Sequence, residues 1–480
     1  MPISGALLCL LMPRPRWILR ITIGVSTLQL GLAVEAVRRI LASGSFNAAE
    51  NWLYVDAFSA LHLLVLALVY LFSSVFAGIY FRHEQGPHRF TTRIARRFGS
   101  LWLGALAAMT LLLISNNLGI MWFGMESTTL LTAFLISLYP NRLSLEAMWK
   151  YLIICSVGIA FAFMGTLLAA SSLQESELLH ANGLLWTYMV DPATRLDPAL
   201  IKISFAFIIV GFGTKAGLAP VHSWLPDAHS QCPAPVSAMF SGFMLNAALY
   251  CIMRYVPLVN SAPGSDFADN LLIVFGTLSI LIAAAFIVFQ SDIKRLLAYS
   301  SVEHIGIMAL GYGLGPLGIF AALFHTVNHS LCKSLAFFAA GRIGQHYKTY
   351  EMQAIKGALR VDRLWGLGLL GSALAFIGVA PFAIFMSEYQ ILRATVALHN
   401  WWVLVLFLLG TGVIFISILR HTIGMLYGSP VSSPPIKGGA GLAATGIVTL
   451  SLGLLLMLGL WLPQAFRELL RQAAAVISGG

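Results

Sequence analysis

Residues 207–229 read FIIVGFGTKAGLAPVHSWLPDAH, an apolar run that carries Lys215 inside it and is then interrupted by Gly217, Pro220 and Pro226. A second stretch, ALFHTVNHSLCKSLAFFAAG at 322–341, places Lys333 in equally apolar company. A charge at the centre of a spanning helix costs about 2.5–3.5 kcal/mol on insertion scales, so such residues face a wet or protein-lined interior and mark an ion or proton route. Glu126 in GIMWFGMESTTLLTAFLI (119–136) and Glu388 in PFAIFMSEYQILRA (381–394) are carboxylates in similar surroundings.

Working outward, the 480-residue chain is 58% hydrophobic and 10% charged, with a mean hydropathy of +0.83. A soluble globule, about a quarter charged, is excluded. The apolar runs are long and continuous rather than alternating, which predicts an all-α integral membrane protein and not a barrel. Bounded by Pro, Gly and charge, they predict about 14 transmembrane helices by the ~20-residue criterion: near 3–12 (short), 17–41, 57–81, 98–115, 118–138, 147–171, 200–219, 235–255, 268–289, 296–313, 316–341, 366–395, 401–427 and 440–461.

The net charge of +10 does not point to nucleic acid, because the cations collect in alternate loops. One set holds Arg14 and Arg16; Arg82, Arg89, Arg93, Arg96 and Arg97; Arg142 and Lys150; Lys294 and Arg295; Arg342, Lys348, Lys356, Arg360 and Arg363; and Lys437. The longest opposite loop, 172–199, carries Glu175, Glu177, Asp191 and Asp197 against Arg195. This is the positive-inside bias, with Arg38 and Arg39 the exception. It predicts a multi-pass membrane protein with both termini on the outer side.

Cys9, Cys155, Cys232, Cys251 and Cys332 are scattered without CxxC pairing. Clustered thiolates are what iron–sulfur and structural zinc sites require, so the expectation is no cofactor and no metal in this chain. The first twelve residues lack a basic n-region and read as a short helix, not a removed signal. No polar stretch is long enough for a soluble domain, leaving 1–480 as a single polytopic membrane domain. SPVSSPPIKGG at 429–439 reads as a linker, and the tail after 461 as an interfacial amphipathic helix.

Two regions share an irregular design. The seventh predicted helix carries Gly211, Gly213 and Gly217 before Pro220, and the twelfth carries Gly368, Gly371 and Gly378 before Pro381. Broken helices at matched places are the mark of inverted repeats with ion sites beside them. The expectation is two inverted five-helix repeats, about 98–255 and about 268–427, with helices 7 and 12 broken.

His325, His329 and Lys333 follow an i, i+4, i+8 spacing, one face of a helix over about 12 Å. Histidine exchanges protons near neutrality, so the three read either as a relay or as a polar helix–helix contact. Glu126 and Lys215 read as a pair, either a switch that captures and releases a proton or a static buried ion pair. His222, Asp227 and His229 are better explained by a polar, water-lined segment than by a metal site, since Pro226 and the lack of a further ligand oppose one. Glu303 and His304 are expected near the inner face, where exposure is plausible. Glu388 is the far terminal carboxylate.

These residues resemble the antiporter-like, proton-pumping subunit family shared by respiratory complex I, membrane-bound hydrogenases and multisubunit sodium/proton antiporters. The resemblance is carried by KAGLAPVHSWLPDAHSQCPAPVSAMFSG (215–242), QSDIKRLLAYSSVEHIGIMALG (290–311) and FHTVNHSLCKSLAFFAAG (324–341). The wording SSVEHIGIM and NHSLCKSLAFF is most similar to the hydrogenase-4 component F branch. The resemblance implies Glu126 as the helix-five carboxylate, Lys215 as its helix-seven partner, His325, His329 and Lys333 as the helix-eleven relay, and Glu388 as the exit residue. Where complex I relatives commonly carry a central lysine in helix eight, this chain has Asn246 in MLNAALYCIMR (244–254). An amide orients water but does not exchange a proton at neutral pH, which routes the middle of the relay through His222 or through waters held by Asn246. The lateral helix of some relatives is not expected.

The resemblance thus implies a non-redox, proton-translocating membrane subunit coupled to electron transfer in partners. Those partners would be other antiporter-like and anchor subunits and a soluble hydrogenase or dehydrogenase arm carrying iron–sulfur clusters, with NiFe in the hydrogenase case. A subunit of a multisubunit sodium/proton antiporter and a non-pumping scaffold are the competing readings; the Lys- and His-rich buried set favours protons over sodium.

Overall fold

The computed structural model describes residues 1–84, 90–173, 183–261, 266–429 and 441–479. Arg89, Glu175, Glu177, Lys437 and the linker residues 430–439 lie outside the described residues. The helices are α1 (Pro2–Leu11), α2 (Pro15–Ser43), α3 (Ala57–Tyr80), α4 (Thr92–Ile114), α5 (Leu118–Ile136), α6 (Arg142–Ser171), α7 (Trp186–Met189), α8 (Pro198–Ala216), α9 (Trp224–Gln231) and α10 (Ala234–Asn260). They continue as α11 (Phe267–Ile287), α12 (Ile293–Tyr312), α13 (Gly315–Tyr347), α14 (Ala358–Val361), α15 (Arg363–Phe376), α16 (Ala383–Ala397), α17 (Trp401–Leu426), α18 (Leu442–Leu460) and α19 (Gln464–Ser478). A small antiparallel hairpin pairs β1 (Phe46–Ala48) with β2 (Leu53–Val55).

Among the described residues, ten helices are long and apolar enough to cross a bilayer. Each of the fourteen expected runs coincides with a helix or with a helix pair flanking a break. Polar caps start the helices where the sequence leaves the apolar pattern. Asp56 accepts from Ser59 N, Asn117 from Gly119 N and Ile120 N, and Asp197 from Ala199 N and Leu200 N. Asn141 and Ser144 form a reciprocal capping box at the start of α6.

The two breaks are built alike. Gly217 (φ +82°) and Gly378 (φ +71°) take the left-handed conformation that glycine tolerates without penalty. Leu218 N then reaches back to Gly213 O at 2.9 Å, and Val379 N to Leu374 O at 3.0 Å. Val221 N to Leu218 O and Phe382 N to Val379 O, both 3.1 Å, complete the same turn. Gly-Leu-Ala-Pro at 217–220 and Gly-Val-Ala-Pro at 378–381 carry the two turns.

Three helices form the interior. All of α10 except Pro257 and Asn260 is buried, as is all of α12 except Arg295 and the whole of 321–344 in α13. Gly242 lies where α10 crosses α13: a Cβ there would stand 2.6 Å from Ser334 Oγ. A π-helical turn at Phe240–Met244 falls at this crossing, the kind of irregularity often found at functional sites. Pairings gather the basic loops at one end of the bundle: Thr92 to Pro13 O, Lys150 and Arg295 to Asp227, and Gln345 to Tyr80 O. The hairpin, residues 183–197 and Asn116 meet at the other end. The apolar face of the amphipathic helix α19, with Leu469, Leu470, Ala473 and Ile477 buried, packs on α3 and α13.

One buried ion pair ties α3 to α10. Arg254 donates to both oxygens of Asp56 at 2.6 and 2.9 Å, and also to Ser59 and Tyr250. Removing one partner of a buried pair strands a charge. Asp56→Ala is therefore expected to lower stability by about 3–5 kcal/mol, while Asp56→Ala with Arg254→Leu recovers most of the loss; unfolding followed in detergent micelles checks both. At the basic end, burial pushes the Glu84 carboxyl up from 4.5 to about 8, although the Tyr139 hydroxyl it accepts from pulls the other way. The folded protein thus holds this proton more tightly than the unfolded chain. The contribution is complete below about pH 4.5 and lost as pH rises through 8. In a pH series of melting temperatures, Glu84→Gln should flatten that decline.

Candidate functional site

Lys215 lies in the last turn of α8, just before the first break, where the negative end of the helix dipole favours a cation. Its side chain is fully buried. The ammonium donates to Thr129 Oγ1 at 3.0 Å and to the Tyr151 hydroxyl, and sits 4.3 Å from the Tyr151 ring centroid. Tyr151 in turn shares a 2.6 Å hydrogen bond with Thr132. Glu126, half-buried one turn before Thr129 on α5, accepts from Ser156 Oγ at 3.1 Å; its other oxygen has no partner among the described residues. The expected direct Glu126–Lys215 ion pair is not formed. A layer of hydroxyls stands at the lysine instead, and Glu126 acts on it through space.

The second cluster is larger. Lys333 donates to Ser300 Oγ at 2.6 Å and Leu297 O at 3.4 Å, and lies 4.3 Å from the Phe376 ring centroid. Ser300 donates to Glu303 at 3.4 Å, so this lysine meets its carboxylate through a hydroxyl. His304 Nδ1 and His325 Nε2 share a hydrogen bond at 2.9 Å, and His325 Nδ1 pairs with Ser387 Oγ at 2.9 Å. The His329 ring lies tilted against that of His304, 5.2 Å centroid to centroid, with neither ring nitrogen bonded among the described residues.

Glu388 reaches this cluster from the second break. Its carboxylate and one nitrogen each of His304 and His325 lie within 4.8 Å of one another. A Cβ at Gly378 would collide with that carboxylate, at 2.4 Å from Oε2, so the glycine serves both the turn and the site. Two imidazoles and a carboxylate are a conceivable metal set. However, His325 commits both nitrogens to hydrogen bonds, an arrangement suited to passing a proton.

Between the clusters, Asn246 Nδ2 donates to Ser330 Oγ at 2.9 Å and Gly242 O at 3.1 Å, and its Oδ1 has no partner among the described residues. Met244 Sδ stands 3.9 Å from Thr132 Oγ1 and 3.8 Å from the Tyr151 hydroxyl, so a thioether separates the first cluster from Asn246.

The structure brings Lys215 together with α5 and α6, and His325, His329, Lys333 and Glu388 around α12. It does not bring His222 to them: that ring faces Tyr299 at 6.2 Å and makes no hydrogen bond to Lys215, Asn246 or His325 among the described residues. Glu303 and His304, expected near an exposed inner face, are 3% and 0% exposed. The apolar run IGIMALGY (305–312) that follows them on α12 was the available signal, but burial of the helix start depends on α9 and α13 packing over it. His229 was read as part of a wet loop. It is fully buried, stacked 5.0 Å from Phe337, with both nitrogens unbonded among the described residues and with Lys294 and Lys333 near enough to act on it. Asp227 pairs with Lys150 and Arg295 and leaves no metal set with the neighbouring histidines.

Residues 115–414 match the family described as NADH:quinone oxidoreductase/Mrp antiporter, transmembrane. The chain is 38% identical to a hydrogenase-4 component F homolog of Methylacidiphilum infernorum, over 72% of this chain and 73% of that one. It is 28% identical to NADH-quinone oxidoreductase subunit N of Desulforudis audaxviator, over 82% and 80%. In fold it is similar to a chain of an archaeal membrane-bound sulfane sulfur reductase, with a TM-score of 0.86, 24% identity and coverage of 99% and 97%. A chain of the Mrp complex from Dietzia sp. gives a TM-score of 0.85 at 21% identity, covering 99% and 95%. The chain therefore belongs to the NADH:quinone oxidoreductase/Mrp antiporter transmembrane family.

Proposed function

We propose that this protein is the proton-translocating membrane subunit of an electron-transfer complex of the hydrogenase-4 or complex I kind. The observation that carries the reading is the pair of buried ammonium groups, Lys215 and Lys333, each held by hydroxyls with no carboxylate in contact. A cation in direct contact with a carboxylate is locked in place, whereas one held by neutral hydroxyls is free to give up its proton when the carboxylate shifts.

In this scheme Lys215 takes up a proton while Glu126 is ionised. When Glu126 turns away or is neutralised, Lys215 loses that support and releases its proton toward Thr132 and Asn246. Water crossing past Met244 completes the link to Ser330. On the far side Lys333, steadied by Glu303, passes a proton to the His304–His325 pair, and Glu388 delivers it outward. The partners are other antiporter-like and anchor subunits, with a soluble arm carrying iron–sulfur clusters and, in hydrogenase-type assemblies, nickel and iron. The basic end faces the inside of a prokaryotic cell membrane, and both termini lie outside.

Lys215→Met and Lys333→Met, in the assembled complex in sealed vesicles, should each cut turnover-linked proton uptake by on the order of 10² while the complex still assembles. Full pumping in both variants would leave only a scaffold role, and uptake strictly dependent on a sodium gradient would favour sodium/proton exchange. Asn246→Leu, which removes the bond to Ser330, should slow uptake more than Asn246→His, which restores an exchangeable group; vesicle acidification rates compare the two.

A further inference from the structure

Away from the proton path, at the basic end of the bundle, a cavity of about 500 Å³ opens between α1, α4 and α5. Arg93, Arg96 and Arg97 of α4 form its polar side, and Leu10, Leu101 and Phe134 its apolar side. The three arginines fall at i, i+3 and i+4 and share one helix face. Like charges so placed repel one another. None of the three pairs with a carboxylate among the described residues. Arg96 is anchored on Met12 O at 2.9 Å, and the Arg97 guanidinium lies 5.7 Å from the Phe134 ring centroid. Arg93 is exposed. The loop carboxyl Glu84 is turned to Tyr139 and, with burial pushing it up to about 8, is largely neutral at pH 7.

The notch also has an orientation. The arginines occupy the first two turns of α4, whose free N–H groups add positive potential. From Phe98 to Ile114 the same helix carries no charge, so the cations mark the edge of the hydrocarbon layer. Toward that layer, Leu10 and Phe134 are 47% and 46% exposed. Cations above and open apolar surface below match an amphiphile with an anionic head.

We propose that this notch binds an anionic phospholipid, with its phosphate on Arg93 and Arg97 and its acyl chains along Leu10, Leu101 and Phe134. Guanidinium groups suit phosphate oxygens by their forked donor geometry, and basic pockets between spanning helices take such head groups. The lipid relieves the repulsion along α4 and joins α1 to α5 across it. This inference requires only that the helices span a membrane, and it stands or falls separately from proton transfer.

The test uses the full-length protein with its co-purifying partners, delipidated in non-ionic detergent. It is titrated with dioleoylphosphatidylglycerol, dioleoylphosphatidylcholine or inorganic phosphate, and bound lipid is read by native mass spectrometry. The expected result is a preference for phosphatidylglycerol over phosphatidylcholine on the order of tenfold. Arg93→Gln with Arg97→Gln should abolish it, and Arg393→Gln on the exposed surface of α16 should leave it intact. If the double variant proves unstable, exposed Arg93→Gln alone should still reduce the preference. Phe134→Ala should weaken lipid retention. Equal retention of the two lipids, an unchanged preference in the arginine variants, or displacement of the lipid by millimolar phosphate alone would overturn the proposal.

Discussion

Two ammonium groups withdrawn from water, with no carboxylate touching either, set the conditions for the rest of this structure. Desolvating a charge is expensive, and the usual remedy is a contact ion pair or a change of protonation state. Lys215 and Lys333 instead receive two softer forms of support. Hydroxyl oxygens of Thr129, Tyr151 and Ser300 accept from them, and the ring faces of Tyr151 and Phe376 lie within 4.3 Å. Both supports are weaker than a carboxylate and neither carries charge. Contrast Arg254, which two oxygens of Asp56 grip in a closed pair: that cation is a fixed girder, whereas the lysines remain responsive to charge at a distance.

The helix breaks supply the placement. Ending α8 at Gly217 leaves Lys215 in the last turn of the helix, and ending α15 before Gly378 leaves space that the Glu388 carboxylate fills. The same backbone turn thus positions a cation in one half of the chain and a carboxylate in the other. Irregular backbone at membrane depth is tolerated only inside protein or beside water; Gly217 to Ala219 are buried in protein, whereas Ala380 and Pro381 of the second turn are exposed. The π-helical turn in α10 is a third departure from regularity, and it brings Gly242 O within reach of Asn246.

Histidines give the second half its distinct chemistry. His304, His325 and His329 form a cluster of mutually tilted rings with one direct imidazole–imidazole hydrogen bond, fully buried, between Lys333 and Glu388. His229 stands alone on the other side of Lys333, against Phe337. Imidazole accepts at one nitrogen and donates at the other, so a chain of such rings passes a proton without any ring being displaced. Among the described residues, no such group stands at Lys215, and there the hydroxyls of Tyr151 and Thr132 take that place.

Much of this was legible in the sequence for a simple physical reason. Lipid forces backbone polar groups to bond within helices, so apolar length alone announces the spans, and a lysine such as Lys215 or Lys333 within one stands out. Gly217 and Gly378 with the prolines after them likewise announce the breaks, because steric and hydrogen-bonding effects of these residues are local. What faces what was not legible. Nothing in the spacing showed that Thr129 and Tyr151 would stand at Lys215, that His222 would turn to Tyr299, or that Glu303 and His304 would be enclosed. Contacts among helices far apart in the chain depend on how ridges and small residues let them approach, as at Gly242 against Ser334. The chain's own residues determined a helical membrane protein with buried titratable groups; only tertiary packing decided which of those groups meet, since partnership is set by distances across helices and not along them.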